Sequence, residues 1–193
     1  GIVTRAMFRL IPMPKKRGTL QVMFPSLDEG CATIYMMLQA GIVPAAAEIM
    51  DRVCLETVTL HRKTDLEPAV QACLVIEIDG DSDAALETQV NQIEAVANQC
   101  RAIGFRVAQS QQESDELWAI RRGISSAVAA MAPNRLGEDI SVPRDAFPEV
   151  VRRIRAISEK YRIPIAVYGH AGDGNLHPSI LCDLSNPEEA ERV

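Results

Sequence analysis

Ile163 to Cys182 reads IPIAVYGHAGDGNLHPSILC, two runs of β-branched and aliphatic residues, Ile163 to Tyr168 and Leu176 to Cys182, joined by a short glycine-rich segment. Neighbouring parallel strands need a crossover of about a dozen residues or more. These two are therefore expected to pair antiparallel, which argues against a doubly wound parallel sheet. Within the connection, Asp173-Gly174 suits a two-residue type I′ turn, whose central positions both take positive φ. Residues whose numbers add to 173 + 174 = 347 then face each other, placing His170 opposite His177. Directly opposed side chains hold their Cβ atoms about 4.5–5.5 Å apart. Two imidazoles at that separation can converge on one ion at the roughly 2.0–2.1 Å of a zinc–nitrogen bond. A larger loop through Gly172 to Asn175 would loosen this register without necessarily parting the rings.

Two neutral imidazoles hold a divalent ion poorly, so a third ligand is needed, most naturally a carboxylate. Glu138, Asp139 and Asp173 are the candidates near in sequence. A pair of rim histidines with no metal is the competing reading. A phosphate cradle fits less well, because such a loop opens a helix and this one enters a strand. His61, in a charged stretch, reads as a surface residue.

Outward from the hairpin, the pattern is of strands and helices in alternation. Strands are predicted over 2–11, 18–24, 43–50, 72–78, 105–108 and 139–142 from short apolar runs bounded by proline, glycine and aspartate. Ser26 and Glu29 form a capping box ahead of Cys31, Ile34 and Leu38, and Gly41 closes that helix. A second helix is expected over 51–62. A longer one carries Leu86, Val90, Ile93, Val96 and Cys100, with Gly104 placed for a left-handed cap. Ser114 and Asp145 are read as starting two more, the latter running to about Lys160, and Asn186-Pro187 opens the last. The order implies α+β: a mainly antiparallel sheet with helices on one face, arranged as tandem ferredoxin-like units.

Composition limits the function classes. In 193 residues, 20 Lys and Arg against 26 Asp and Glu give a formal charge of −6, and the basic runs Lys15-Lys16-Arg17 and Arg152-Arg153 are short. Such a chain lacks the clustered positive charge of a nucleic-acid groove. Aromatic residues make up only 4%, too few for a base-stacking platform. No apolar run approaches the roughly 18 residues of a membrane span. Five cysteines without CxxC spacing read as reduced, mainly buried thiols of a cytosolic protein. Gly1 to Arg5 show neither an initiator Met nor a secretory signal, and the chain looks cut from a longer one.

A second constellation lies in Leu117-Trp118-Ala119-Ile120-Arg121-Arg122-Gly123-Ile124-Ser125. Arg121 and Ser125 are four apart, so a guanidinium and a hydroxyl share one helical face and can clamp a carboxylate. Trp118, three residues before Arg121, makes that face half apolar, as a small organic acid requires. An exposed arginine, a helix serine and a core tryptophan are the plain alternative.

Tyr168 to Leu181 (YGHAGDGNLHPSIL), with LWAIRR at 117–122, EDISVPR at 138–144 and the opening GIVTRAMFRLIPMP, closely resembles the C-terminal half of FAD-linked 2-hydroxy-acid oxidoreductases such as glycolate oxidase FAD-binding subunits, D-lactate dehydrogenases and D-2-hydroxyglutarate dehydrogenases. The resemblance implies that residues 1–14 are the last strand of a preceding FAD-binding domain and that 15–193 form the cap over the flavin, truncated at its C-terminus. It implies that His170 and His177 bind a divalent metal, zinc, and that Arg121 and Ser125 contact the substrate carboxylate. FAD would take a hydride from the 2-hydroxy acid. The family's third metal ligand and base, a glutamate followed by a histidine, would fall beyond Val193, so this chain alone is expected to be inactive. Gly137 stands where relatives using dicarboxylates carry lysine, which favours glycolate or D-lactate as substrate.

Other oxidase subunits, and through them the membrane, are implied as partners of a cytoplasmic protein, and exposed strands of the truncated chain can pair between copies. From a different class, a non-catalytic ferredoxin-like module binding a small anion also accounts for the pattern. So does a related flavin enzyme acting on an ether-lipid precursor in a larger apolar pocket.

Overall fold

A computed structural model describes residues 1–10, 12–62 and 66–193, without the side chains of 61 and 62. The surface expectation for His61 lies outside the described residues. The elements, in order, are β1 (Lys16–Phe24), α1 (Leu27–Gln39), β2 (Ala46–Asp51), α2 (Arg52–Arg62), β3 (Ala72–Gly80), α3 (Asp83–Gln99), β4 (Gly104–Val107), α4 (Gln111–Ala129), β5 (Asn134–Gly137), β6 (Ile140–Ser141), α5 (Phe147–Tyr161), β7 (Ile165–His170), β8 (Asn175–Cys182) and α6 (Pro187–Arg192).

One eight-stranded sheet runs β4-β1-β3-β2-β7-β8-β5, with β6 also on β8. Every pairing is antiparallel. The first four strands in the order β4-β1-β3-β2 make one ferredoxin-like unit, with α1 and α3 as its crossovers. The segment β5/β6-α5-β7-β8-α6 repeats the pattern, with β8 between β7 and β5. The units join edge to edge where β2 meets β7, through Glu48 opposite His170 and Met50 opposite Tyr168.

Alternation along each strand divides the core. Leu20, Val22, Phe24, Ile49, Leu74, Ile76, Ile78 and Val167 face the crossover helices α1, α3 and α5. Met50, Cys73, Val75, Ala166, Tyr168 and Leu181 face the other way and are covered by Cys54, Leu55 and Val58 of α2 and Leu117, Ile124 and Val128 of α4. Helices on one face thus describes α1, α3 and α5. The additional helices α2 and α4 lie across the opposite face, because its apolar side chains also need burial, each worth about 1.5–3 kcal/mol.

Local signals set several boundaries differently from the sequence expectation. Residues 2–10 form no strand, are exposed, and have no strand beside them among the described residues to satisfy their backbone groups. Ser110, not Ser114, caps α4, its hydroxyl accepting from Glu113 N–H at 3.2 Å. Ala146 precedes α5 with no side-chain cap, so Asp145 does not serve, although Pro148 sits in the first turn. Gly104 opens β4, and Arg101 takes the left-handed conformation after α3 at φ 59°. At α1 the serine cap forms as read, with Ser26 accepting from Glu29 N–H, although the Glu29 carboxylate meets the serine hydroxyl rather than its N–H, and Gly41 follows the end at φ 75°. All five cysteines are free and buried.

Candidate active site

The hairpin of β7 and β8 turns through four residues, Ala171 to Gly174, rather than two. Gly172 N–H is drawn to Ala47 O on β2 at 3.3 Å, and the N–H groups of Asp173 and Gly174 both reach His170 O. Only Gly174 takes positive φ, at 83°, so the type I′ turn expected at Asp173-Gly174 does not form. A Cβ at Gly174 would collide with Val142 O, which makes glycine obligatory there. Paired residues therefore add to 345, as in 170 + 175, placing His177 opposite Tyr168 and His170 opposite Asn175.

The two histidines nonetheless stay on one face. Their ring centroids are 5.1 Å apart at 89°, because a diagonal pair on adjacent strands remains within reach of large side chains. Each ring has a carboxylate at Nδ1: His170 is hydrogen-bonded to the buried Glu48 at 2.5 Å, and His177 lies 3.1 Å from the exposed Asp139. That leaves the unprotonated Nε2 of both rings with a free lone pair, the arrangement seen where a carboxylate orients a metal-binding imidazole. Asp139 thus reaches the site from the chain between β5 and β6. Asp173 instead accepts from Asn175 N–H within the turn at 3.2 Å, and Glu138 is exposed. Among the described residues no set of three His, Cys, Asp or Glu side chains is placed to hold a metal. The donors fit a divalent ion as two imidazoles needing further ligands.

Arg121 projects from α4 onto β2, its Nε donating to Glu48 Oε2 at 2.7 Å with both side chains about nine-tenths buried. Its guanidinium also lies 5.2 Å from the Tyr168 ring centre. Glu48 therefore touches both Arg121 and His170. Ser125, one turn along α4, is exposed and accepts at 3.1 Å from Nη1 of Arg135 on β5. Trp118 sits further towards the α4 N-terminus beside an open groove of about 820 Å³ with Arg17, Thr19 and Ser114. Glu48 and Arg135 carry no motif. The available signal for Glu48 was an acid between the apolar Ala47 and Ile49, on the face shared with Ala46 and Met50.

The family described as FAD linked oxidases, C-terminal domain, matches residues 13–193. This chain belongs to that family. As an FAD-linked oxidase C-terminal domain it is 36% identical, over its whole length, to "Glycolate oxidase subunit GlcD" of Bacillus subtilis and spans 41% of that protein. It is 28% identical over 99% of its length to "D-lactate dehydrogenase" of Anaerostipes hadrus, again spanning 41%. The chain thus covers about two fifths of these curated relatives. A solved structure of p-cresol methylhydroxylase with substrate bound shares the fold, with a TM-score of 0.67 and 10% identity over 96% of this chain and 42% of that one. No described helix is long and apolar enough to cross a membrane.

Proposed function

We propose that this FAD-linked oxidase domain is the substrate-binding cap of a flavoprotein that oxidises a small 2-hydroxy acid, of the glycolate or D-lactate type, to the 2-oxo acid. The observation that carries the reading is the pair of imidazoles 5.1 Å apart with both Nδ1 atoms engaged by carboxylates. Residues 1–14 are assigned to the end of the flavin-binding domain and 15–193 to the cap. Relatives named as glycolate oxidase subunits support partner subunits, which would bring a cytoplasmic enzyme to a membrane.

In this reading His170 and His177 present Nε2 to a zinc ion. When bound, zinc would lower the pKa of the substrate hydroxyl, and FAD would accept the hydride from the α-carbon. This chain's part is to bind and orient. Arg121 and Ser125 fix the carboxylate, and Glu48 holds Arg121 and the His170 ring in place at once. The hydroxyl proton passes to a base, and turnover is read in the intact flavoprotein.

Steady-state reduction of the flavin in the intact protein tests this. Glycolate or D-lactate should bleach the flavin absorbance, with loss on chelation and recovery on adding zinc. Failure of every 2-hydroxy acid would end the assignment.

A further inference from the structure

Two guanidinium groups lie over the face of the sheet that carries the imidazoles, and their charge balance differs. Arg121 is neutralised by Glu48. Arg135 has no carboxylate within 4.0 Å among the described residues. Its Nε donates to Ser179 Oγ at 3.0 Å, Nη1 to Ser125 Oγ at 3.1 Å and to Ser125 O at 3.4 Å, and Nη2 to Tyr168 Oη at 2.9 Å. Every partner is a neutral oxygen.

The setting raises the effect of that charge. Ser179 and Tyr168 are buried, at 0% and 3% exposure, so the cation rests on a largely desolvated floor, where charge is worth more than in water. Gly137 contributes no side chain, and the guanidinium packs above it, with Nη2 3.2 Å from where a Cβ would stand. Of the three hydroxyls that accept from Arg135, that of the exposed Ser125 keeps a proton it can donate outward. A cation beside an accessible O–H donor suits an anion with more than one acceptor atom, and guanidinium geometry matches a carboxylate.

We infer that Arg135 is a further substrate-binding residue: beside Arg121, whose charge Glu48 balances, it brings unneutralised positive charge to the site and, with Ser125, shares in holding the carboxylate of the 2-hydroxy acid. This deepens the proposed function and rests on it for the identity of the substrate. It also makes β5 part of the active site, although its four residues carry no recognisable motif.

The test uses the intact flavoprotein with Arg135→Gln, Arg135→Lys and, as a control from the same region, Arg122→Gln. It reads KM and kcat for glycolate and D-lactate, together with equilibrium binding of oxalate as a non-reacting probe. Arg135→Gln should raise both KM and the oxalate Kd by about 10- to 100-fold, leave kcat within a few-fold, and flatten the salt dependence of KM. Arg135→Lys should recover part of the loss and the salt dependence, and Arg122→Gln should behave as wild type. Values for Arg135→Gln within about twofold of wild type would overturn the inference. So would a loss that lysine does not relieve and salt does not modulate, since that marks a packing role. Oxalate held through Arg135 by a protein that oxidises no 2-hydroxy acid would support the anion site while removing the substrate assignment.

Discussion

Glu48 Oε1 lies 2.5 Å from His170 Nδ1, so the carboxylate that neutralises Arg121 from its other oxygen also fixes which nitrogen of His170 points outward. One buried side chain on β2 thus organises a cation from α4 and a ring from β7.

Removing that charge should cost both stability and metal affinity. Glu48→Gln leaves Arg121 buried without a counter-ion, and breaking a buried pair from one side costs roughly 3–5 kcal/mol. Urea unfolding should show a loss of unfolding free energy of that size. Zinc competition with a chromophoric chelator should show about 10- to 100-fold weaker binding, the usual effect of losing a carboxylate that orients a ligating histidine.

The β7–β8 hairpin makes a sharper geometric prediction. A Cβ at Gly169 would run into Asn175 O and stand 2.8 Å from Leu176 Cα, so Gly169→Ala must push the two strands apart. Destabilisation of about 1–3 kcal/mol is expected, with weaker zinc binding because His170 and His177 sit on the separated strands. Gly123→Ala is the control: nothing lies within 4 Å of its Cβ position on α4, and a helix-interior glycine replaced by alanine should gain about 0.5–1 kcal/mol. Thermal melts of both variants check the contrast.

Asp51, on the opposite face of β2 from Glu48, links stability to pH. Burial raises its pKa to about 6, even though the carboxylate accepts from Cys54 N–H at 2.9 Å and Val167 N–H at 2.8 Å. In the unfolded chain the group titrates near 3.9, so between about pH 4 and pH 6 the folded state binds the extra proton. The contribution is fully favourable below the lower value and is lost as pH rises through the upper one. Subtracting the stability profile of Asp51→Asn from that of wild type should therefore leave a difference that falls across this window and is flat above it.

Ser26 offers a simpler check. Its hydroxyl accepts from Glu29 N–H at 3.3 Å and meets the Glu29 carboxylate. Ser26→Ala should cost roughly 1 kcal/mol in chemical denaturation.

These cases show where the sequence was sufficient. The Ser26–Glu29 box and the Asn186-Pro187 start of α6 were readable because capping is local, satisfied within a turn of the residue that signals it. The start of α4 was readable too, since Ser110 and Glu113 have the same spacing, but Ser114 one turn later offered a rival. β5 was not readable. Asn134-Arg135-Leu136-Gly137 has little intrinsic strand character and is extended because β8 pairs with it. The histidine pair survived an error in the turn, because diagonal neighbours on adjacent strands still share a face. Glu48 and Arg135 escaped for a common reason: their partners lie far away in the chain, Glu48 meeting His170 across 122 positions and Arg135 meeting Ser179 across 44. Such juxtapositions are made by strand order and leave no short motif.

The most direct measurement is a long-range nitrogen–proton NMR spectrum of the two imidazoles during zinc titration. The account predicts that His170 and His177 both carry their proton on Nδ1 before zinc is added, and that both Nε2 resonances then move together to a single saturable endpoint. Protons on Nε2 in either ring, or zinc leaving both Nε2 resonances in place, would contradict it.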